Sequence, residues 1–170
     1  MLNTPTADEL IKKLDLMQHP EGGWFRETYR SPVEVAASEL PGGYGGGRRL
    51  GTSIYFLLKD GERSHWHRLV SDELWYYHGG RSVRLYLLDE DGGLEVKLLG
   101  ADGDFQLLIP AGRWFAAELD ADMGREDFGL VGCVVLPGFE FEDFELGTRE
   151  QLLRAYPQHE ELVRKFTSGE

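Results

Sequence analysis

Short apolar and aromatic runs, separated by turn residues, recur through the middle of this 170-residue chain. The runs are GTSIYFLL, SHWHR, ELWYYHGG, SVRLYLL, LEVKLLG, DFQLLIP, RWFAAEL and LVGCVVLP. They are rich in β-branched and aromatic residues, and turns at 59–62, 89–93 and 101–103 divide them. Eight or nine short, evenly spaced strands predict an all-β sandwich or barrel.

Both ends of the chain carry helix signals. Thr6 followed by Glu9, and Thr148 followed by Gln151, have the spacing of a capping box, and each precedes apolar residues at helical spacing. A glycine-rich segment at 39–50 has no periodicity and predicts a mobile surface loop. Because no repeat or change of composition marks a boundary, we expect one domain over 1–170, with a barrel core at about 22–146.

The net charge and the lengths of the apolar runs limit the partners and the compartment that we expect for this chain. A net charge of −12 argues against a phosphate-backbone partner, so nucleic acid is not expected. No apolar run has the length of a signal peptide or a membrane span, which predicts a cytoplasmic protein that does not enter membranes. The lone cysteine, Cys133, lies in an apolar strand and is expected to pack as a small hydrophobic residue.

His65 and His67 are two residues apart on a predicted strand, so both imidazoles are expected on one face of the sheet. Glu73 follows after a short loop, and a hairpin would bring its carboxylate beside the two rings. Two histidines and one carboxylate are a ligand set for Fe, Mn, Ni or Zn. A polar pocket without metal is the alternative interpretation of the same residues.

The arrangement resembles the two cupin motifs. His65, His67, Glu73 and Gly80 resemble the first motif, and Pro110, with the residues up to Phe115, resembles the second. Phe115 stands where metal-binding cupins place a further histidine ligand. With HPEGGWFRETYRS, TSIYFLL, IPAGRWFAA and VVLPGFEFEDFEL, the chain is similar to the uncharacterised cupin family five. This resemblance implies a double-stranded β-helix (jelly-roll) barrel with short terminal helices, a homodimer, and no established reaction.

Strand parity predicts which side chains line the barrel. The residues that share the parity of His65 and His67 are Arg63, Trp75, Tyr77, Arg113 and Phe115. Such a lining combines polar groups with aromatic walls, as small-molecule sites do. An inward arginine needs a carboxylate partner or an anionic ligand, so the two arginines favour an anionic, sugar-like metabolite.

The segment GGWFRETYR near the start is similar to the opening strand of cupin sugar-nucleotide epimerases. That resemblance implies that Arg26 contacts an anionic substrate and that Glu27 or Tyr29 takes part in proton transfer. An ordinary edge strand explains the segment nearly as well.

Three functions follow as hypotheses. The first is a metal-independent isomerase or epimerase in which His67, oriented by Glu73, transfers protons. The second is a metal-dependent cupin enzyme that uses His65, His67 and Glu73. The third is a non-catalytic binding or sensor module, because one fold serves many functions.

Overall fold

The strands occupy the middle of the chain, as the sequence predicts. The structure is a computed structural model and describes residues 4–121 and 126–168. The strands in this part of the chain are β1 (Met17–Gln18), β2 (Trp24–Arg30), β3 (Glu34–Val35), β4 (Arg48–Arg49), β5 (Thr52–Lys59), β6 (Arg63–Leu69), β7 (Asp72–Gly80), β8 (Val83–Leu88), β9 (Leu94–Leu99), β10 (Gln106–Ile109), β11 (Trp114–Leu119), β12 (Phe128–Leu136) and β13 (Phe144–Leu146). The predicted all-β fold is confirmed.

Two antiparallel sheets form the barrel. Within residues 4–121 and 126–168, one sheet has the order β1-β2-β5-β12-β7-β10 and the other has the order β13-β6-β11-β8-β9. The inner faces bury a common core that includes Phe56, Trp75, Leu85, Phe115 and Val131. Alternating strand positions supply this core, since successive side chains point to opposite faces. Phe56, Trp75 and Cys133 of this core also line a cavity inside the barrel.

Short helices flank the barrel. They are α1 (Ala7–Lys13), α2 (Arg149–Ala155) and α3 (Glu160–Lys165). Thr6 with Glu9 and Thr148 with Gln151 form the predicted capping boxes at the first two helices. The last two helices cover Trp66 and Trp114, which point out of the barrel. Of the helices in the described ranges, none is long and apolar enough to cross a membrane.

A β-bulge interrupts β6 where the histidine pair lies. His67 pairs with Phe115 and Ser64 pairs with Ala117, so two residues of β6 stand opposite the single Ala116. The extra residue reverses the alternation of side chains. Ser64 and His67 therefore share the inner face, and the expected common face for His65 and His67 is wrong.

The glycine-rich segment at 39–50 contains regular structure that the sequence does not predict. Its last residues form β4, which pairs with β3. Arg48 is 2% exposed, and its guanidinium holds both carboxylate oxygens of Asp143, with Nε–Oδ2 and Nη2–Oδ1 distances of 2.6 and 2.7 Å. The side chain of Tyr44 also packs on this guanidinium. This ion pair ties the segment to the chain that leads into β13.

Candidate functional site

The cavity inside the barrel has a volume of about 100 Å³ and aromatic walls. The aromatic residues that line it are Phe25, Phe56, Trp75, Phe139, Phe141 and Phe144. Four carboxyl groups also line it: Glu21 and Glu73 are buried, whereas Glu27 and Glu140 lie at the mouth. An engineered apolar cavity of about 150 Å³ holds benzene, so this volume suits a ligand of only a few heavy atoms.

Glu21 and His67 form the central polar contact of the cavity. The Nε2 atom of His67 lies 3.1 Å from Oε2 of Glu21, and the two side chains are 2% and 8% exposed. The other ring nitrogen of His67, Nδ1, lies 2.7 Å from the carbonyl oxygen of His65. Ser64 donates a hydrogen bond of 2.8 Å from its hydroxyl to Oε1 of Glu21. Both side chains are thus fixed by short contacts on two sides.

These contacts and the burial of both side chains favour one arrangement of protons in the pair. A carbonyl oxygen only accepts, so Nδ1 of His67 carries the hydrogen. Burial lowers the pKa of His67 to about 3, so the ring is neutral and Nε2 is an acceptor. Burial first, and then the charge of Glu73, raise the pKa of Glu21 well above its usual value. The two shifts favour a neutral pair, in which the carboxyl group of Glu21 faces the unprotonated Nε2 of His67.

Close packing of a loop against β6 brings Glu21 to the histidine. Gly22 has φ +102°, and a Cβ at this position would lie 2.1 Å from the carbonyl oxygen of Arg63. Only glycine permits this approach, which is why HPEGG carries a glycine directly after the acid. The main-chain N–H of His65 donates to the carbonyl oxygen of Glu21 at 2.7 Å, so a bulge residue holds the loop in place.

His19 is a second histidine that contacts Glu21. Its Nδ1 accepts a hydrogen bond of 3.3 Å from the main-chain N–H of Glu21, and the same nitrogen is 3.3 Å from Oε2. Burial lowers the pKa of His19 to about 4, so this ring is also neutral near pH 7. Its ring lies edge-on to Phe25, with centroids 4.6 Å apart. His19 therefore supports Glu21 without bringing a charge into the cavity.

Glu73 is a second buried acid. Burial raises its pKa to about 7, and the Trp75 N–H and the Cys133 thiol oppose that shift only partly. Its residue is 6% exposed, and within the described ranges its Oε2 has no hydrogen-bond partner. A buried carboxyl oxygen without a partner is costly for the fold and marks a place where a ligand donor would be stabilised.

Replacing Glu73 with glutamine is expected to remove part of the pH dependence of stability. The pKa of Glu73 rises from 4.5 unfolded to about 7 folded, so its contribution is present below pH 4.5 and is lost as the pH rises through 7. That loss amounts to about 3 kcal/mol at 1.36 kcal/mol per pKa unit. Urea unfolding at pH 4.5 and 7.5 measures it, with the exposed Glu150→Gln as control. Parallel pH profiles for Glu73→Gln and the unsubstituted chain would contradict the assignment.

An ion-pair cluster lies at the mouth of the cavity. Arg30 contacts Oε2 of Glu27 at 2.9 Å and also pairs with Glu140, and all three side chains are roughly one-third exposed or more. Arg30 faces the same way as Glu27 because the pairing of β2 with β5 shifts register between Glu27 and Tyr29. Two carboxylates surround one guanidinium, so the mouth carries no unpaired arginine.

The structure brings only some of the predicted site residues into the cavity. His67, Glu73, Trp75 and Glu27 line it. Phe115 lies in the core under His67, with ring centroids 4.0 Å apart. The side chains placed elsewhere are Arg26 over the ring of Tyr55, exposed Tyr29, Arg63 and His65 at an outer groove, Tyr77 against Phe105, and Arg113 with Asp89 and Glu95.

Two predictions for the histidines need correction. His67 takes its orientation from His65 and Glu21, because both of its ring nitrogens are engaged by these residues rather than by Glu73. His65 does not converge with His67 and Glu73, because its Nδ1 contacts the carbonyl oxygen of Glu21 at 2.8 Å on the outer side of the bulge. The residues described here contain no group of three His, Cys, Asp or Glu side chains arranged to hold a metal.

Sequence reasoning missed Glu21, His19 and the phenylalanines that follow β12. The signal available for Glu21 was its position between Pro20 and two glycines, which places a carboxylate on a tight loop rather than on a strand. Phe139, Phe141 and Phe144 alternate with acidic residues in PGFEFEDFEL, a pattern that predicts aromatic anchors below a solvated acidic face but not the wall of a cavity. In the structure all three rings lie within 6.4 Å of the His19 ring, centroid to centroid.

Comparisons with known proteins agree with this architecture. A family model described as cupin superfamily (DUF985) matches residues 8–147. An uncharacterized protein of Saccharomyces cerevisiae is 30% identical over 148 residues, which cover 81% of this chain and 73% of the yeast protein.

Solved structures extend the likeness to the whole fold. A hypothetical protein from Leishmania major has a TM-score of 0.88 and 36% identity, covering 97% of this chain and 100% of its own. A protein from Shewanella oneidensis has a TM-score of 0.83 and 43% identity, covering 98% and 100%. Oxalate decarboxylase from Bacillus subtilis has a TM-score of 0.55 at 19% identity, covering 92% of this chain and 38% of its own, which is a likeness of fold alone.

Proposed function

We propose that this chain, which belongs to the DUF985 family of the cupin superfamily, binds a small carbonyl compound in its barrel and isomerises it by proton transfer. The observation that carries the proposal is the 3.1 Å contact between the acid Glu21 and the neutral base His67 inside a buried cavity. A buried acid and an adjacent base with opposite proton occupancy are the elements of general acid–base catalysis.

The proposed reaction converts an α-hydroxy or α-amino carbonyl compound into its isomer through an enediol or an enaminol. His67 Nε2 accepts a proton from the carbon next to the carbonyl group, and the electron pair of the broken C–H bond forms the carbon–carbon double bond. The carbonyl oxygen takes the proton that Glu21 holds on Oε2. His67 then returns its proton to the former carbonyl carbon, while the hydroxyl or amino group on the neighbouring carbon loses a proton to the carboxylate of Glu21 and forms the new C=O or C=N bond. Glu21 and His67 thereby recover their first states without a co-reactant.

The surrounding residues have positioning roles in this scheme. Ser64 holds Oε1 of Glu21, which leaves Oε2 directed at the histidine. The carbonyl oxygen of His65 fixes the tautomer of His67, so that Nε2 is the basic atom. Phe115 packs under the imidazole ring and limits its rotation.

Exchange of carbon-bound hydrogen for deuterium tests the proposal. Hydroxyacetone and aminoacetone, incubated with the protein in D₂O and followed by proton NMR, are expected to lose their α-hydrogen signals faster than in buffer. Glu21→Gln and His67→Asn are each expected to slow this exchange by about 100-fold, the usual share of one acid or base. His78→Asn is the matched control, because His78 is exposed and lies outside the cavity.

Two outcomes would contradict proton transfer. One is exchange that proceeds equally in Glu21→Gln, His67→Asn and the unsubstituted chain. The other is a small molecule that binds in the cavity and is recovered without exchange, which would favour a binding module.

The positions of His65 and His67 do not fit the metal-dependent alternative. His65 lies on the opposite side of the bulge from His67, so the His-x-His pair does not converge on one atom. This geometry therefore does not favour a metal ion held by His65, His67 and Glu73 together.

A further inference from the structure

We infer that the ligand of the cavity is a small organic cation, whose ammonium group is held by Glu73 and by the faces of the surrounding phenylalanines. The inference rests on the proposed function in one respect, since it takes the same cavity as the ligand site. It adds the charge and chemical class of the ligand, which the Glu21–His67 pair does not specify.

The first argument is the charge around the cavity. The carboxyl groups of Glu21, Glu27, Glu73 and Glu140 line it, and among the described lining residues Arg30 is the only arginine or lysine. Arg30 is already paired with both carboxylates at the mouth. The arginines that the sequence placed inside, Arg63 and Arg113, lie outside. An anionic ligand would therefore meet no free cation, whereas a cation would meet carboxyl groups at every depth.

The second argument is the unpartnered oxygen of Glu73. Its residue is 6% exposed, it lines the cavity, and its Oε2 has no hydrogen-bond partner among residues 4–121 and 126–168. Glu21 differs in this respect, because Ser64 and His67 engage both of its oxygens. An ammonium group carries several N–H donors and a positive charge, so it satisfies a buried carboxylate better than a neutral donor does.

The third argument is the nature of the walls. Phe25, Phe56, Phe139, Phe141 and Phe144 line the cavity, and phenyl faces attract cations through their quadrupole. Recognition of alkylammonium groups by several aromatic rings beside a carboxylate is a common use of this attraction. The chain's net charge of −12 also favours the approach of cations to the mouth.

Three probes of equal heavy-atom count and similar branching test the inference: isopropylammonium, isopropanol and acetate. Their binding to the full chain is measured by ligand-observed NMR and by titration calorimetry. Isopropylammonium is expected to bind at least about tenfold more tightly than isopropanol or acetate, because it gains a desolvated cation–π contact and a charged hydrogen bond to a carboxylate. Acetate or isopropanol binding as tightly as the cation, or no binding of any probe, would overturn the inference.

Substitutions then identify the residues that give the cavity its preference for a cation. Glu73→Gln keeps the shape of the side chain and is expected to reduce the preference for isopropylammonium over isopropanol by about fivefold or more. Phe144→Leu keeps an apolar wall and is expected to weaken isopropylammonium binding while leaving isopropanol unchanged. Glu150→Gln is the control, since Glu150 lies on the exposed face of α2. An unchanged preference in Glu73→Gln, with circular dichroism showing the native fold, would overturn the assignment to Glu73.

The proposed reaction and the proposed ligand class can be contradicted independently of each other. The probes carry no carbonyl group, so their binding is independent of proton transfer. Binding of the cation that depends on Glu73, together with deuterium exchange that does not depend on Glu21 or His67, would retain the ligand class and overturn the reaction. Exchange that depends on Glu21 and His67, without preference for a cation, would do the reverse.

Discussion

Replacing Arg48 with methionine is expected to lower the free energy of unfolding by about 3–5 kcal/mol, the cost of removing one partner from a buried ion pair. The side chains of Arg48 and Asp143 are 2% and 4% exposed, and two hydrogen bonds of 2.6 and 2.7 Å join them. Without the guanidinium, the carboxylate of Asp143 remains buried and unpaired. Chemical denaturation monitored by tryptophan fluorescence measures the loss.

Two further variants distinguish an ion pair from simple packing. Arg49→Met is the matched control, because Arg49 is 38% exposed and lies 3.8 Å from an exposed Glu34, so it is expected to cost at most about 1 kcal/mol. The double variant Arg48→Met with Asp143→Leu is expected to recover much of the stability, since no charge then remains buried. A double variant as unstable as Arg48→Met alone would contradict the explanation.

Replacing Trp66 with alanine is expected to lower the free energy of unfolding by about 3–5 kcal/mol, because the substitution leaves a large cavity. Trp66 belongs to β6 and is fully buried beneath the C-terminal helices α2 and α3. Its indole N–H donates to the carbonyl oxygen of Leu162 at 3.1 Å, and its ring lies 6.0 Å from that of Phe166, centroid to centroid. Thermal and urea unfolding measure the change.

Trp24→Ala is the matched control for this substitution. Trp24 is half-buried and its indole N–H donates to Glu62 at the edge of the sheet, so a smaller loss is expected. Equal losses for the two tryptophans would contradict the prediction that the fuller burial of Trp66 makes its removal more costly. Because Trp66 points away from the cavity, binding of isopropylammonium to the folded protein is expected to persist in Trp66→Ala.

Local patterns in the sequence predict the strands, the turns and the helix caps. Thr6 with Glu9 and Thr148 with Gln151 are short-range signals, and the structure contains both capping boxes. His67 and Glu73 were also identified from spacing, and the structure places both in the cavity. In the two capping boxes the residues that decide the outcome lie within a few positions of one another.

The features that escaped prediction depend on contacts between distant parts of the chain. The bulge in β6 follows from the register with β11, about fifty residues away, and no pattern within SHWHR reveals it. Arg48 is buried because Asp143 lies opposite it, although its own neighbours are glycines typical of a mobile loop. Glu21 becomes a site residue only when its loop docks on β6.

The acid and the base of the proposed site come from a loop and from a strand, so the site exists only while these two segments are docked on each other. Glu21 belongs to the segment between β1 and β2, whereas His67 belongs to the barrel wall. Local opening of the N-terminal segment would separate acid from base while the barrel stays folded, and it would free the His65 amide that the carbonyl oxygen of Glu21 protects. Hydrogen exchange at that single amide is therefore a direct measure of how often the site is disassembled.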